Sequence, residues 1–236
     1  MRKLHYLWVS LLVGLASCTK SESDLGPMPV AAFTLSRSVI ETGEQVQATN
    51  TSQNAASYRW QANGMQDSVR TDTNPAFKAG RIPGTYNVKL TAFNTEERRV
   101  QAVVPVRIGR RTISALRLTA IPATRPNGQP WHADGSGLNL SCDIYSGSVL
   151  GVRTATSGPY TNVQSTSLPL TWTLGGEFFD GGMSVVFIDN VAGKQAYIAS
   201  IPINTTGPPA NRDAQGKGSY EVQYNGWAFV AEIETR

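Results

Sequence analysis

Charge is scarce in this chain. Only 16% of its 236 residues are Asp, Glu, Lys or Arg, against roughly a quarter in an average soluble domain. The Glu, Lys, Leu and Ala richness of helical proteins is missing as well, which argues against a helix-rich fold. Two cysteines cannot make a disulfide scaffold. Histidine is limited to His5 and His132. Zinc needs three or four His, Cys or carboxylate ligands, and this supply cannot start a site. No Gly-x-Ser-x-Gly elbow and no glycine-rich phosphate loop occurs. No Lys/Arg run is present that would track a phosphate backbone, so nucleic acid is excluded as a partner. What the chain does have is 40% hydrophobic residues, enough to bury a core and to exclude charge-driven disorder. Gly (22) and Pro (13) are slightly enriched, and Ser and Thr are frequent.

Long hydrophobic runs are also absent beyond the first eighteen residues. There, Arg2 and Lys3 precede about a dozen apolar residues, then small ones. This is the shape of a secretory signal, too short to span a bilayer. Its end, Leu15-Ala16-Ser17-Cys18, resembles the bacterial lipobox. The resemblance implies cleavage of residues 1–17 and acylation of Cys18, on sulfur (palmitate-type) and on the new amino group. Three acyl chains would anchor the protein stably, at about 0.8 kcal/mol per buried CH₂. Residues 18–28 follow as a lipidated Cys and polar tether. Their early acidic residues, Glu22 and Asp24, look like the export signal of surface lipoproteins in Bacteroidetes-type bacteria. The location expected is the cell envelope, on the outer membrane and exposed at the surface. Losing Arg2 and Lys3 leaves 19 basic against 17 acidic residues, so the net charge falls from +4 to +2. Cys142 is then the only free thiol, expected in or near a core.

Residues 29–109 alternate with period two. Tyr86, Val88, Leu90 and Ala92 make one stripe, and Val100, Ala102, Val104, Val106 and Ile108 another. Shorter strands are predicted at 32–35, 45–49 and 57–61. Turns at Gly43, Asn63-Gly64, Asn74-Pro75 and Pro83-Gly84 punctuate them. The spacing predicts an antiparallel sandwich. Val30-Ala31-Ala32-Phe33, Gly43-Glu44-Gln45-Val46, Tyr58-Arg59-Trp60 and Gly84-Thr85-Tyr86-Asn87-Val88 together resemble a PKD (polycystic-kidney-disease) repeat, an immunoglobulin-like module that serves as a spacer. The family's Trp-x-Phe-Gly-Asp-Gly turn is replaced by Trp60-Gln61-Ala62-Asn63-Gly64. Its Gly survives and its Asp does not. Trp60 is expected to fill the core.

After a joint at Gly109-Arg110-Arg111, residues 112–236 read as a second, larger sandwich, making the fold all-β with two tandem antiparallel β-sandwiches. Strands are predicted at 113–121, 143–146, 170–174, 183–189, 196–203, 219–224 and 227–232. Asn225-Gly226 between two alternating runs is the strongest hairpin signal present. The polar stretch Thr205–Gly218 is expected to be a long exposed loop. The loop that ends in Asp143-Ile144-Tyr145, with the later Val185-Val186-Phe187-Ile188-Asp189 strand, is similar to the calcium- and phospholipid-binding eight-stranded sandwich of synaptotagmin and protein kinase C. That resemblance implies calcium held by Asp134, Asp143 and Asp189 at loop ends on one edge. Calcium takes six to eight oxygens, while Lys194 stands where the family has further acids. The other reading of Asp134 and Asp143 is that of turn residues bonding their own backbone.

Catalysis is not expected. His132 and Asp134 lie two apart, and such a spacing does not by itself make a triad. Asp134, Asp143, Glu177, Asp180 and Asp189 give no basis for a glycosidase pair. Binding is the better class, through aromatic faces beside a few polar groups. Trp131, Tyr145, Tyr160, Trp172, Tyr220, Tyr224 and Trp227 are the candidates, with Trp131 and Tyr160, as loop residues, ranked above the strand aromatics. The function expected is a non-catalytic, lipid-anchored envelope protein that binds protein or polysaccharide. A polysaccharide-uptake accessory, similar to the starch-binding surface lipoproteins, and a calcium-dependent adhesion module are the alternatives.

Overall fold

The computed structural model describes residues 26–146, 152–178, 182–205 and 207–236. The signal, Cys18, most of the tether and Asp180 lie outside the described residues. Everything described is strand, turn or loop, apart from one 3₁₀ turn at Ser165–Ser167.

The first sandwich faces two sheets together. One holds β1 (Phe33–Leu35), β3 (Gln45–Asn50), β5 (Met65–Gln66) and β7 (Ala76–Ala79), in the order β1-β3-β7-β5. The other holds β2 (Val39–Glu41), β4 (Ser57–Ala62), β6 (Val69–Arg70), β8 (Gly84–Phe93) and β9 (Arg99–Gly109), in the order β2-β9-β8-β4-β6. All named pairs are antiparallel except β2 with β9. The predicted stripes of β8 and β9 face inward, with Val88, Leu90, Ala92, Val106 and Ile108 buried. Trp60 is fully buried, edge-on to Phe33 at 5.0 Å and Phe77 at 6.1 Å. Its indole N–H donates to Asp72 O at 2.8 Å, so the polar end of a core residue is satisfied. Gly64 has φ +74, and a Cβ there would meet the Tyr86 ring at 2.3 Å. The turn keeps its glycine because an aromatic ring lies on it.

The second sandwich has eight strands. β10 (Arg111–Ala120), β13 (Leu170–Phe178), β16 (Lys217–Tyr224) and β17 (Trp227–Thr235) form one sheet, in the order β13-β10-β17-β16. β11 (Leu138–Ser146), β12 (Val152–Val163), β14 (Met183–Val191) and β15 (Lys194–Ile203) form the other, in the order β12-β11-β14-β15. Asn225 and Gly226 both have positive φ, 47° and 83°, the two-residue hairpin their sequence predicts. β2, β5, β6 and β7 of the first sandwich are absent from the sequence reading, β13 runs four residues past its predicted end at Leu174, and two further elements differ from expectation. β12 is absent from the sequence reading, because Thr154-Ala155-Thr156-Ser157-Gly158 carries no alternation and its pairing with β11 is broken by register shifts. β11 begins five residues earlier than predicted. Its two faces are both largely covered, so the polar Asn139, Ser141 and Asp143 hide the strand period.

Cys142 lies in the second core with no exposed surface. Burial, and secondarily the Asp143 charge, push its thiol up to about 12. An unfolded thiol titrates near its ordinary value of 9.0. Between these values the unfolded chain loses a proton that the folded chain keeps, so stability falls with rising pH by up to about 1.4 kcal/mol per pH unit. Cys142→Ala is expected to flatten that alkaline slope in urea titrations between pH 9 and 11. The native thiol is also expected to resist alkylation until the chain is unfolded. Prompt native labelling, or an unchanged slope, would contradict this burial.

The two sandwiches meet in a built joint. β9 passes into β10 across Gly109 and Arg110, and Arg110 and Arg236 exchange backbone hydrogen bonds of 2.7 and 2.9 Å. Glu41 receives Arg111 on both oxygens, at 2.9 and 2.5 Å. Arg212 reaches Glu41 at 3.0 Å and Glu44 at 2.7 Å. Arg111 also donates to the carbonyls of Thr205 and Gly207 and to the Tyr220 hydroxyl. Burial works against the Arg111 charge, but the bond to Glu41 and that carboxylate's charge outweigh it and raise the guanidinium above its ordinary value. The stretch Thr205–Gly218 is exposed at most of its described residues, as expected, but it is pinned at Arg212. It carries the buried Arg212 onto the first sandwich, and Ser38 donates to Ala214 O at 3.2 Å.

This joint fixes which end is which. The β8–β9 turn holds the start of the described chain, with Asn94 and Arg98 donating to Pro27 O and Gly26 O. β9 runs from that turn to the joint, and β10 runs from the joint to the far end. At about 3.3 Å per residue, the two strands of 11 and 10 residues set an upper bound of roughly 70 Å on the distance from the β8–β9 turn to the far tip.

Candidate functional site

Residues 121–137 form the loop cluster at that tip. The segment is Pro- and Gly-rich and folds on local bonds: Arg125 N–H to Gln129 O at 2.8 Å, Gly128 N–H to Arg125 O at 2.9 Å, and Gln129 N–H to Asn127 Oδ1 at 3.1 Å. The Arg125 guanidinium turns back onto Trp131 O, through Nε at 3.1 Å and through Nη2. Trp131 donates its indole N–H to Pro122 O at 2.8 Å.

An aromatic column supports Trp131. It stands edge-on to Trp227 at 6.3 Å. Trp227 stacks on Phe187 at 4.6 Å and 9°. Phe187 meets Trp172 at 6.2 Å and Phe229 at 5.8 Å, and Trp172 meets Tyr160 at 5.3 Å. Trp172 and Trp227 are thus core residues, while Trp131 is half-buried at the top of the column. Tyr160 corrects its expected place. It belongs to β12, not a loop, and its hydroxyl donates to Thr171 O at 2.6 Å. Tyr145 lies near the joint end of β11, with its hydroxyl 3.4 Å from Asp143 Oδ2. Seven residues along the strand from Leu138, about 23 Å, put it outside the tip site.

The three predicted acids also separate. Asp143 is buried in mid-strand opposite Val186, not at a loop end. The reason is that the strand continues five residues upstream of where the sequence pattern begins. Asp189 lies at the tip end of β14, 4% exposed. Its Oδ1 accepts Asn139 N–H at 2.9 Å, and its Oδ2 lies 2.7 Å from His132 Nε2. On the other side, His132 Nδ1 lies 2.8 Å from Ser136 Oγ, which donates to Asp134 Oδ1 at 2.7 Å. The hydroxyl and then the backbone N–H of Ser136 hold the Asp134 carboxyl below its ordinary value. Asp134 is the turn residue of the alternative reading. Calcium does not fit these residues: Asp143 is remote, both Asp189 oxygens are engaged, and no group of three or more His, Cys, Asp or Glu is placed to hold a metal among the described residues.

No local pattern brings Asp189, His132 and Ser136 together, yet the fold lines them up. The only hint was a lone histidine in a Gly- and Asp-rich loop. A nucleophilic serine needs a hydroxyl free for its base and paired N–H donors for an oxyanion. Here the hydroxyl donates to Asp134. The N–H groups of Gly135, Ser136 and Gly137 go to His132 O, Asp134 Oδ1 and Asn162 Oδ1. The row of groups therefore ties the loop to the sandwich, joining residues 57 positions apart.

Around Trp131 three cavities converge. The largest, about 430 Å³, is lined by Arg125, Asn127, Trp131, Asp189 and Tyr197. A second, about 240 Å³, includes Pro122, Trp131, Ile198, Tyr224 and Asn225. A third, about 270 Å³, includes Trp131, His132, Ser136 and Gln164. Tyr197 is 68% exposed and Tyr224 47%. Tyr197 was not a sequence candidate. Residues 196–203 read only as strand, and a strand pattern does not say which tyrosine faces a loop from another strand.

No protein-family model and no curated protein matches the chain. Among solved structures it is similar to carbohydrate-binding modules from the β-sandwich superfamily, characterised for promiscuous specificity, at 14% identity and TM-score 0.30, covering 89% of this chain and 91% of that one. It is similar to fibronectin(III)-like modules of CbhA from Clostridium thermocellum, at 15% identity and TM-score 0.29, covering 74% and 91%. Dimeric latent PorU from Porphyromonas gingivalis is a third, at 15% identity and TM-score 0.27, over 77% of this chain and 20% of that one. What can be said of the chain's kind is its architecture: an all-β protein of two tandem antiparallel sandwiches.

Proposed function

We propose that this protein is a non-catalytic binding protein of the bacterial cell envelope, anchored by lipid on Cys18, which holds polysaccharide at its distal tip. The observation that carries this reading is the convergence of three cavities on Trp131, with Tyr197 and Tyr224 exposed beside it. Ring faces next to a few fixed polar groups are what a sugar site needs. The position supports it too, since the tip is the end remote from the tether. The PKD-like sandwich then serves as a spacer.

Trp131→Ala tests the site. A central aromatic anchor is worth at least about 2 kcal/mol, roughly thirtyfold in affinity, so the variant is expected to lose binding to whichever polysaccharide the parent retains in a glycan screen. A parent that binds none, or a variant that binds as well, would refute the assignment. Cys18→Ala addresses the anchor: the protein is expected to leave the membrane fraction. Continued membrane association would remove the lipid from the reading.

A further inference from the structure

We propose that the tip takes an acidic polysaccharide, one whose sugars carry a carboxylate, with the acid group meeting Arg125. This rests on the polysaccharide reading of the tip and adds the charge class of the ligand.

Of the three tip cavities, only the 430 Å³ one is lined by an Arg or Lys, and that residue is Arg125. Its volume lies in the range of about 300–1,000 Å³ typical of small-ligand sites. Arg125 is exposed, yet its direction is set. Nε and Nη2 both donate to Trp131 O, and its own N–H and C=O close the turn to Gln129 and Gly128. The Nη1 edge carries no bond to the described residues, and no described carboxylate pairs with this guanidinium.

The one acid in the same cavity does not compete for it. Asp189 is nearly buried and spends Oδ1 on Asn139 N–H and Oδ2 on His132. The charged group with hydrogen-bonding capacity left over toward the cavity is therefore the guanidinium. A guanidinium fork matches a carboxylate in geometry, and such charge-assisted bonds are about twice as strong as neutral ones. Trp131 and Tyr197 flank the fork in the same cavity. Their rings offer apolar faces to a sugar ring whose acid group lies at its edge. A carboxylate alone would need the arginine and not the rings, which separates an acidic sugar from an acidic peptide.

The test uses the purified full chain with galacturonan, alginate and hyaluronan, each beside its carboxyl-reduced, neutral counterpart, and with polyglutamate. Titration calorimetry at two salt concentrations reads the affinities. At least one acidic polymer is expected to bind tenfold or more tighter than its reduced form, with the difference shrinking in higher salt. Arg125→Gln is expected to erase that difference; because it also removes the two bonds to Trp131 O, its affinity for the reduced polymer is the baseline against which the loss is read. Arg125→Lys should restore it only in part, since the charge returns without the fork. Tyr197→Ala should weaken acidic and reduced polymers alike. Equal affinity for acidic and reduced polymers, or a preference that survives Arg125→Gln, would overturn the inference and leave the tip as a neutral-glycan site. Polyglutamate binding as tightly as the sugars would also overturn it, as bare charge recognition. Failure of every polymer, acidic and reduced, would overturn the polysaccharide reading itself.

Discussion

Replacing Glu41 by Gln is expected to destabilise the union of the two sandwiches by about 3–5 kcal/mol, the cost of breaking a buried ion pair from one side. Two guanidinium groups lean on this one carboxylate. Arg111 and Arg212 have side chains only 9% and 1% exposed, and Glu41 is 14% exposed. With Glu44, and Arg37 at 4.0 Å from it, the cluster sets two acids against three bases. Glutamine keeps the shape and removes the charge, leaving Arg212 with Glu44 and Arg111 with carbonyls and the Tyr220 hydroxyl. Calorimetry is expected to show one cooperative transition for the parent and two separated transitions for Glu41→Gln, and X-ray scattering in solution should show a wider range of interdomain angles. The exposed pair Arg70–Asp72, with side chains 36% and 54% exposed, is the control. Arg70→Gln should change stability by no more than about 1 kcal/mol. If Glu41→Gln behaves like Arg70→Gln, the joint is held by the Arg110–Arg236 backbone pairing and the ionic cluster is incidental.

Phe187→Ala is the second large effect. Phe187 is fully buried and touches Trp227, Trp172 and Phe229. Truncating a core phenylalanine costs about 3–5 kcal/mol, part from lost transfer and part from the cavity left behind. This position has a further consequence. Trp227 lies flat on Phe187, and Trp131 leans on Trp227, so the loss should reach the tip. The prediction is a melting point lowered by roughly 6–20 °C, on about 2–4 °C per kcal/mol for a chain of this size, together with a weakened near-ultraviolet tryptophan signal. Ligand affinity should fall at temperatures where the chain is still folded. A destabilised variant with unchanged affinity would mean that Trp131 is held by its loop alone, through Pro122 and Arg125.

How legible each part was follows from how each part is buried. β8 and β9 wear a wetter face and a drier one, so alternation exposed them along most of their length; β10 is covered on both faces up to Leu118, and its alternation shows only from Leu116 to Ala120. β14 is buried from Met183 to Asp189 on both faces and reads as an apolar run. β11 is buried with polar residues on one face, and only its last four residues were predicted. β12 has small and hydroxylated residues with repeated register shifts, leaving no period to detect. Contacts distant in sequence were out of reach altogether. Arg212 finds Glu44 across 168 residues, and His132 finds Asp189 across 57. No local rule pairs such charges. Trp131 was legible because a large ring in a Gly- and Pro-rich loop has no helix or strand to pack within. Tyr197 was hidden in an ordinary strand.

The parallel pairing of β2 with β9 determines how the molecule would take tension. Both strands run toward the joint, in register at Val39–Arg107, Ile40–Ile108 and Glu41–Gly109. A pull on the chain ahead of β2 drags that strand backward, while a pull on the second sandwich draws β9 forward through β10. The two strands are then sheared past each other, so their hydrogen bonds must fail together instead of unzipping one at a time. Glu41 ends that short pair and is gripped by Arg111 and Arg212 from beyond the joint. The same carboxylate that joins the sandwiches at rest would resist their separation under flow.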